Sequence, residues 1–262
     1  MNIYLYDKTF GGFLTIIHHS FEMKLIPDKI LDESNYQNDL FSNTIRIITD
    51  PKKAQQVWNV IRKKSSRATV QIIYKTFLSE LPEIEMLLFN YIKLIIDTPH
   101  NVEMDYANDD VLKVNKIHTK VVREAHKALM FIRFQKTSDH IYYASFEPKY
   151  NVLPFAIEHF KDRFSDQKWI LYDTKRKYGF YFDGEEVREF QFTHINFNET
   201  ANKLDGHLLS DDELLYQDLW KTYYHSVNIK ERKNMKVHIQ FMPKRFWKYL
   251  PEKDLTAIDS GI

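Results

Sequence analysis

The chain has 262 residues, of which 44% are hydrophobic and 15% aromatic, and its formal net charge is +1. This composition supplies a core for one large domain or two small ones, and the charge excludes a strong overall field toward nucleic acid or membrane. There is no cysteine, and there are only six glycines. Disulfides, thiolate nucleophiles, Cys-ligated zinc and iron–sulfur clusters are therefore excluded, and no glycine-rich loop for nucleotide hydrolysis is expected.

The first hundred residues are predicted to be mainly helical. Short strands are expected over 3–6 and 44–49. Apolar residues at helical spacing predict four helices, over 10–23, 51–63, 70–81 and 82–96. A polar segment over 97–110 follows, and we interpret it as a boundary between two halves.

Beyond this boundary one more helix is expected, and then helices and strands are both predicted. Helices are expected over 111–129, 152–164 and 211–225, the last with Ser210 and Glu213 at capping-box spacing. Aromatic and β-branched segments separated by turn residues predict strands over 130–135, 141–146, 169–172, 178–182 and 187–194.

These elements predict an α+β fold with an antiparallel or mixed central sheet flanked by several helices. A single domain over 1–250 with a C-terminal tail over 251–262 is expected, and two subdomains over 1–100 and 110–250 are the alternative. The most apolar stretch, 86–96, is too short to span a bilayer, and the first residues do not have the pattern of a secretory signal. We therefore expect a cytoplasmic protein without membrane contact.

Several short motifs are distributed along the chain. They include Phe10-Gly11-Gly12-Phe13, Arg123-Glu124-Ala125-His126, Asn151-Val152-Leu153-Pro154, Ser226-Val227-Asn228-Ile229 and Met242-Pro243-Lys244-Arg245. With these motifs, nearly the whole chain resembles a bacterial family of unknown function whose members are described as DNA-metabolism or DNA-repair proteins. Members typically accompany a radical S-adenosylmethionine (SAM) protein thought to modify or repair DNA. Related domains occur fused to uracil-DNA glycosylase domains.

The resemblance implies a role in DNA metabolism, with DNA and a radical SAM protein as partners. The absence of cysteine fits this pairing, because the iron–sulfur cluster would then belong to the partner. No glycosylase domain is evident in the sequence, so base excision by this chain alone is not expected. The resemblance supplies no catalytic residue, and we expect neither a cofactor nor a metal in the chain itself.

The segment 230–249 is the first candidate for a nucleic-acid interface. Cations alternate there with aromatic residues, and phosphates bind Lys and Arg while unstacked bases stack on aromatic rings at about 1 to 3 kcal/mol each. The alternative is a segment that buries its aromatic residues and leaves its cations solvated. The candidate DNA-binding residues are Arg232, Lys233, Lys236, Lys244, Arg245, Trp247 and Lys248.

A second basic cluster lies at a predicted break between two helices. Its members are Arg62, Lys63, Lys64 and Arg67. Helix ends and short loops contact phosphates through side-chain cations and backbone amides. A solvated helix end is the alternative, since cations are favoured near the carbonyl groups that close a helix.

Glu147, His159 and Asp173 are the candidate catalytic residues, because these side chains suit proton transfer or metal binding and lie near predicted element ends. Their spacing matches no established metal motif, and helix capping or a turn pair between Asp173 and Arg176 is the alternative. The leading hypothesis is a DNA-metabolism accessory protein that binds DNA and works with a radical SAM enzyme. The alternatives are a stand-alone nucleic-acid hydrolase or base-processing enzyme that uses these three residues, and a protein-binding scaffold.

Overall fold

The computed structural model describes residues 1–36, 42–99, 102–192, 204 and 206–253. Within them the architecture is α+β, which confirms the predicted fold class. The chain divides into two compact units, unit 1 over residues 1–123 and unit 2 over residues 124–262. Unit 1 contains a three-stranded sheet and unit 2 a five-stranded sheet.

Unit 1 is built on a parallel sheet with the order β2-β1-β3. Its strands are β1 (Asn2–Tyr6), β2 (Lys29–Asp32) and β3 (Asn43–Arg46). Its helices are α1 (Phe10–Met23), α2 (Pro51–Lys64), α3 (Arg67–Phe77) and α4 (Ile84–Asp97), followed by α5 (Asp109–Phe131), in which the boundary between the units falls. The sequence did not indicate β2, because this edge strand has four residues of which only Ile30 is buried. The polar segment 97–110 lies inside unit 1.

Unit 2 contains a sheet with the order β4-β5-β6-β7-β8. Its strands are β4 (Gln135–Lys136), β5 (Tyr142–Phe146), β6 (Trp169–Asp173), β7 (Tyr178–Phe182) and β8 (Val187–Phe190). β5 and β6 are parallel and the other pairs antiparallel, so the sheet is mixed. The parallel pair requires a crossover, which is supplied by α6 (Leu153–Arg163).

The C-terminal part of unit 2 is helical. It contains α7 (Glu213–Ser226), α8 (Met235–Phe241) and 3-10 turns at Gly206–Leu208, Lys230–Arg232, Lys244–Tyr249 and Pro251–Lys253. The predicted capping box at α7 is wrong, because the helix has no side-chain cap and the Glu213 carboxylate bonds elsewhere. No helix in the described ranges is both long and apolar enough to cross a membrane.

Two predicted strands of unit 2 differ from the structure. The strand over 130–135 is wrong, because α5 continues to Phe131 and only Gln135–Lys136 pair with β5. The last strand ends at Phe190, and residues 193 and 194 of the prediction lie outside the described residues. Helix α5 continues through Phe131 because the helical conformation packs the Phe131 ring into the core, where its centroid lies 5.0 Å from that of Phe246.

Candidate nucleic-acid interface

One phenylalanine anchors the C-terminal segment of unit 2 to its core. Phe246 is fully buried, and its ring centroid lies 5.4 Å from that of Phe146 on β5, with the rings nearly parallel. Tyr249 is also buried and packs against Phe146 at 5.5 Å. Burial of such a side chain stabilises a fold by about 1.5–3 kcal/mol. Phe246 and Tyr249 are therefore core residues, and they fix the Lys244–Tyr249 turn that carries the remaining side chains.

Trp247 lies on the same turn but is only partly buried. Its indole Nε1 donates a hydrogen bond to the carbonyl oxygen of Met242 at 3.0 Å, which sets the orientation of the ring. The ammonium nitrogens of Lys244 and Lys253 lie 5.9 Å and 5.4 Å from the ring centroid, and the His238 ring meets it edge-on. Cations within about 6 Å of an indole face are attracted to it. Trp247 therefore lies in a strongly cationic environment.

A pocket of about 270 Å³ adjoins this ring through the side chains of His238 and Lys253. We call it the basic pocket. Its lining includes Tyr224, Asn228, Arg232, Lys233, His238 and Lys253. The Lys253 ammonium donates a hydrogen bond to the Tyr224 hydroxyl at 2.6 Å and lies 4.7 Å from the centre of that ring. This contact holds one cation of the pocket in a defined position.

His238 contributes a titratable group to the basic pocket. Partial burial lowers its pKa below the usual 6.5, and the positive charge of Lys253 lowers it further. Its buried Nε2 atom has no hydrogen-bond partner among the residues that the structure describes. His238 therefore adds a titratable side chain beside the three cations that line the pocket.

Four of the candidate DNA-binding cations of the segment 230–249 are exposed. None of them forms an ion pair within the described ranges. They are Arg232, Lys233, Lys236 and Lys244. Together with His238, Trp247 and Lys253 they form what we call the basic aromatic surface of unit 2. The sequence did not identify His238 or Lys253, and Lys253 was assigned to the tail.

Arg245 and Lys248, by contrast, are bound to carboxylates of unit 2. The Arg245 guanidinium makes two hydrogen bonds, of 2.8 and 2.5 Å, to the buried carboxylate of Glu124, which also accepts the backbone N–H of Lys149. The Lys248 ammonium lies 2.6 Å from Glu147. Burial alone would lower the pKa of Lys248, but the contacts with Glu147 and Tyr249 together outweigh it and raise the pKa. Both cations therefore already have a carboxylate partner within unit 2.

The basic cluster of unit 1 surrounds a helix junction. Arg62, Lys63 and Lys64 close α2, and Arg67 opens α3. Between the helices, the Ser66 hydroxyl accepts a hydrogen bond from the Thr69 backbone N–H and so caps α3. Lys64 bonds to the carbonyl oxygen of Ile96, and Arg62 lies 5.6 Å from the ring centroid of Trp58. Two of the four cations thus have contacts within unit 1.

Asp173, a candidate catalytic residue, is fully buried at the end of β6. Its carboxylate accepts backbone N–H groups of Lys175 and Arg176 at 2.9 and 3.0 Å, and the Arg176 guanidinium lies at 2.9 Å. Burial raises its pKa, and these hydrogen bonds and the Arg176 charge oppose the rise without cancelling it. This geometry is the turn pair that the sequence offered as the alternative.

Glu147 lies at the same sheet edge, because Phe146 and Asp173 are partners in the parallel register of β5 and β6. It is exposed and paired with Lys248. His159 is exposed on α6 and makes no hydrogen bond or ion pair with either carboxylate in the described part of the chain. No group of three or more acidic or histidine side chains suited to a metal occurs among the described residues. The three candidates do not form one such cluster.

Comparison with known proteins identifies a family for this chain. Residues 82–252 match the model of a family described as a domain of unknown function, DUF4130. The chain belongs to this family. The match covers almost all of unit 2 and ends one residue before Lys253. No curated protein and no solved structure matches the chain.

Proposed function

We propose that this DUF4130 protein is a DNA-metabolism or DNA-repair accessory protein that binds DNA through the basic aromatic surface of unit 2. The observation that carries the proposal is the basic pocket, in which Arg232, Lys233 and Lys253 line one concavity beside the partly exposed ring of Trp247. Phosphate groups pair with such cations, and the release of counterions supplies most of the affinity.

The aromatic component favours single-stranded or distorted DNA over a regular duplex. A base that has left its stack can lie on an aromatic face, and an indole flanked by cations holds the adjoining phosphate as well. The imidazole of His238, which lines the pocket, adds a titratable group at the same place. In a regular duplex the bases are stacked on each other, so the Trp247 ring contributes little.

We further propose that the protein works with a radical SAM enzyme. The family resemblance supports this pairing, and so does the absence of cysteine, which leaves a cluster to the partner. Co-expression with a Cys-x-x-x-Cys-x-x-Cys protein, followed by size-exclusion chromatography, tests it. A joint peak that retains iron supports the pairing, and separate elution of the two chains contradicts it.

The test of DNA binding is fluorescence anisotropy with labelled single-stranded and duplex DNA over a salt series. We expect binding at low salt that weakens steeply as salt rises, with a logarithmic slope of about 0.9 per phosphate contact on duplex and about 0.7 on single strands. Stronger binding of the single strand at equal salt would agree with a role for Trp247.

The matched variants are the double charge reversal Arg232→Glu with Lys233→Glu and the single reversal Lys168→Glu. Lys168 is an exposed lysine of unit 2 outside the basic aromatic surface. We expect the double variant to bind DNA about tenfold or more weakly at 50 mM salt, and Lys168→Glu to retain its affinity. Absence of binding by the unmodified protein at low salt, or equal losses per charge in the two variants, would refute the proposal.

A further inference from the structure

A second cavity of unit 2, of about 670 Å³, lies between α7 and the edge of the sheet formed by β4 and β5. We call it the α7 cavity. Small-molecule sites in proteins measure about 300–1,000 Å³ and are lined by apolar and aromatic side chains with a few polar groups. Aromatic rings form much of its wall. They are Phe134, Tyr142, Tyr216 and Trp220.

A buried carboxylate stands among these rings. Glu213 is 8% exposed and accepts one hydrogen bond at each oxygen, from the Lys136 backbone N–H and from the Gln217 amide, both at 2.9 Å. A carboxylate has about four acceptor sites. Glu213 therefore has capacity to accept further N–H groups from a ligand, and the Gln217 amide carries a second N–H and a carbonyl oxygen.

The orientation of the Trp220 ring is fixed by a hydrogen bond of its indole nitrogen. Its indole Nε1 donates a hydrogen bond to the buried Glu252 carboxylate at 2.9 Å, and the other oxygen of Glu252 pairs with Arg133 at 3.1 Å. This arrangement holds the indole and the guanidinium, both of which line the cavity, in defined positions. A preorganised ring of this kind loses little side-chain freedom when a ligand stacks on it.

We infer that the α7 cavity binds a single unstacked nucleobase, with its edge toward Glu213 and Gln217 and its faces against the aromatic wall. A planar ring that carries N–H donors on its edge is the ligand class that matches both features. Stacking on aromatic side chains and hydrogen bonding of the base edge are how proteins hold bases taken out of a strand. Lys136, which also lines the cavity, supplies a cation for the attached phosphate.

The inference rests on the proposed function only for the source of the base, since DNA would deliver it as part of a strand. The cavity itself is tested with a free nucleotide. The probe is the deoxynucleoside monophosphate of 2-aminopurine, whose fluorescence falls when it stacks on an aromatic ring. Deoxyribose 5-phosphate, which lacks a base, is the matched ligand control and is not expected to compete.

The test variant is Tyr216→Ala, with Leu215→Ala as its control. Both side chains are 60% exposed and neighbours on α7, but only Tyr216 lines the cavity, so neither change is expected to unfold the protein. Loss of one stacking ring lowers affinity by roughly 5- to 150-fold. We expect that loss for Tyr216→Ala and less than twofold for Leu215→Ala, with unchanged thermal melting of both.

A second arm places 2-aminopurine within a single-stranded oligonucleotide and follows anisotropy and base fluorescence together. Anisotropy reports the proposed DNA binding, whereas quenching that depends on Tyr216 reports capture of the base. Nucleotide binding without oligonucleotide binding would leave the cavity inference standing and refute the proposed function. Oligonucleotide binding without any Tyr216-dependent signal in either arm would overturn the inference alone.

Discussion

The two basic regions of the chain have similar composition but different local structure. In unit 1, the cations from Arg62 to Arg67 surround a helix junction, where Lys64 bonds to a backbone carbonyl and Arg62 lies near Trp58. In unit 2, Arg232, Lys233 and Lys253 line one pocket, and Lys244 and Lys253 flank the ring of Trp247. A run of lysine and arginine in the sequence therefore indicates charge, whereas several cations that line one concavity indicate a site.

Unit 2 also shows that two cations on one short turn can have different roles. Lys244 and Arg245 are consecutive, yet Lys244 is exposed without an ion pair in the described residues and Arg245 binds the buried Glu124. The difference arises because successive residues on a helical turn point in different directions. Arg245 thus stabilises the fold, whereas Lys244 is available to bind phosphate.

The largest expected effect is on stability, at Arg245. The change Arg245→Ala leaves the Glu124 carboxylate buried without its guanidinium, and we expect the free energy of unfolding to fall by about 3 kcal/mol, the lower end for a broken buried pair because Arg245 is 41% exposed. Urea denaturation measures this. In the folded protein, DNA affinity is expected to change less than about threefold, since Arg245 is not a phosphate contact.

Arg188→Ala is the matched control for Arg245. Arg188 pairs with Asp183 and Glu186 but is 64% exposed, so its removal is expected to cost less than about 1 kcal/mol. Equal losses for the two variants would mean that Glu124 is solvated in solution. A large loss of DNA affinity in folded Arg245→Ala would show that this residue contacts DNA as well as Glu124.

The next largest effect is on DNA affinity, and it differs between the two basic regions. Double charge reversal at Arg232 and Lys233 is expected to lower DNA affinity by about tenfold or more at 50 mM salt and to reduce the duplex salt slope by about 2. The same double reversal at Arg62 and Lys63 is expected to change affinity less than about threefold. Anisotropy on both double variants measures this.

The reverse ranking of these variants would locate the interface at the helix junction of unit 1. Equal effects would indicate that DNA responds to total charge alone. Circular dichroism of each variant provides the folding control, since all four side chains are exposed and no ion pair of theirs occurs within the described ranges.

Local patterns predicted much of this fold. The helix α6 was predicted because its apolar residues follow the helical period. The strands β5 and β7 were predicted because they are rich in aromatic residues and are bounded by turn residues. The parallel pairing of β5 and β6 was not visible, since pairing depends on the path of the connection and not on the strand sequences. β2 was missed because a four-residue edge strand has too few residues for a period to show.

The site was predicted less completely, because residues that contact each other there are far apart in the sequence. The partner of Arg245 is 121 residues away, so the sequence gives no sign that this cation is occupied. Phe246 and Trp247 are adjacent aromatic residues, and only the turn that carries them decides which is buried. Lys253 was assigned to a tail because nothing local links it to Tyr224, whose hydroxyl it contacts.

The smallest expected effect is a pH dependence of DNA binding through His238. In the free protein, burial and Lys253 hold the pKa of this imidazole below 6.5, so it is neutral at pH 7. A phosphate in the basic pocket favours the protonated form, so binding takes up a proton and affinity should rise as the pH falls through 6.5. We expect a gain of about threefold, because one partly exposed group is involved.

The stability of the fold, unlike the DNA affinity, should fall as the pH is lowered through 6.5. A histidine whose folded pKa is lowered contributes stability above its unfolded pKa of about 6.5, and this contribution is lost as the pH falls below that value, because the unfolded chain then binds more protons. Anisotropy and thermal melting between pH 7.5 and 5.5 distinguish the two trends. His238→Gln should remove the gain in affinity and reduce the loss of stability, to which His118, whose pKa is also lowered by burial, still contributes. His159→Gln, at an exposed histidine of α6, should change neither. An affinity gain that survives in His238→Gln would assign the proton to another group and weaken the case that phosphate occupies the basic pocket.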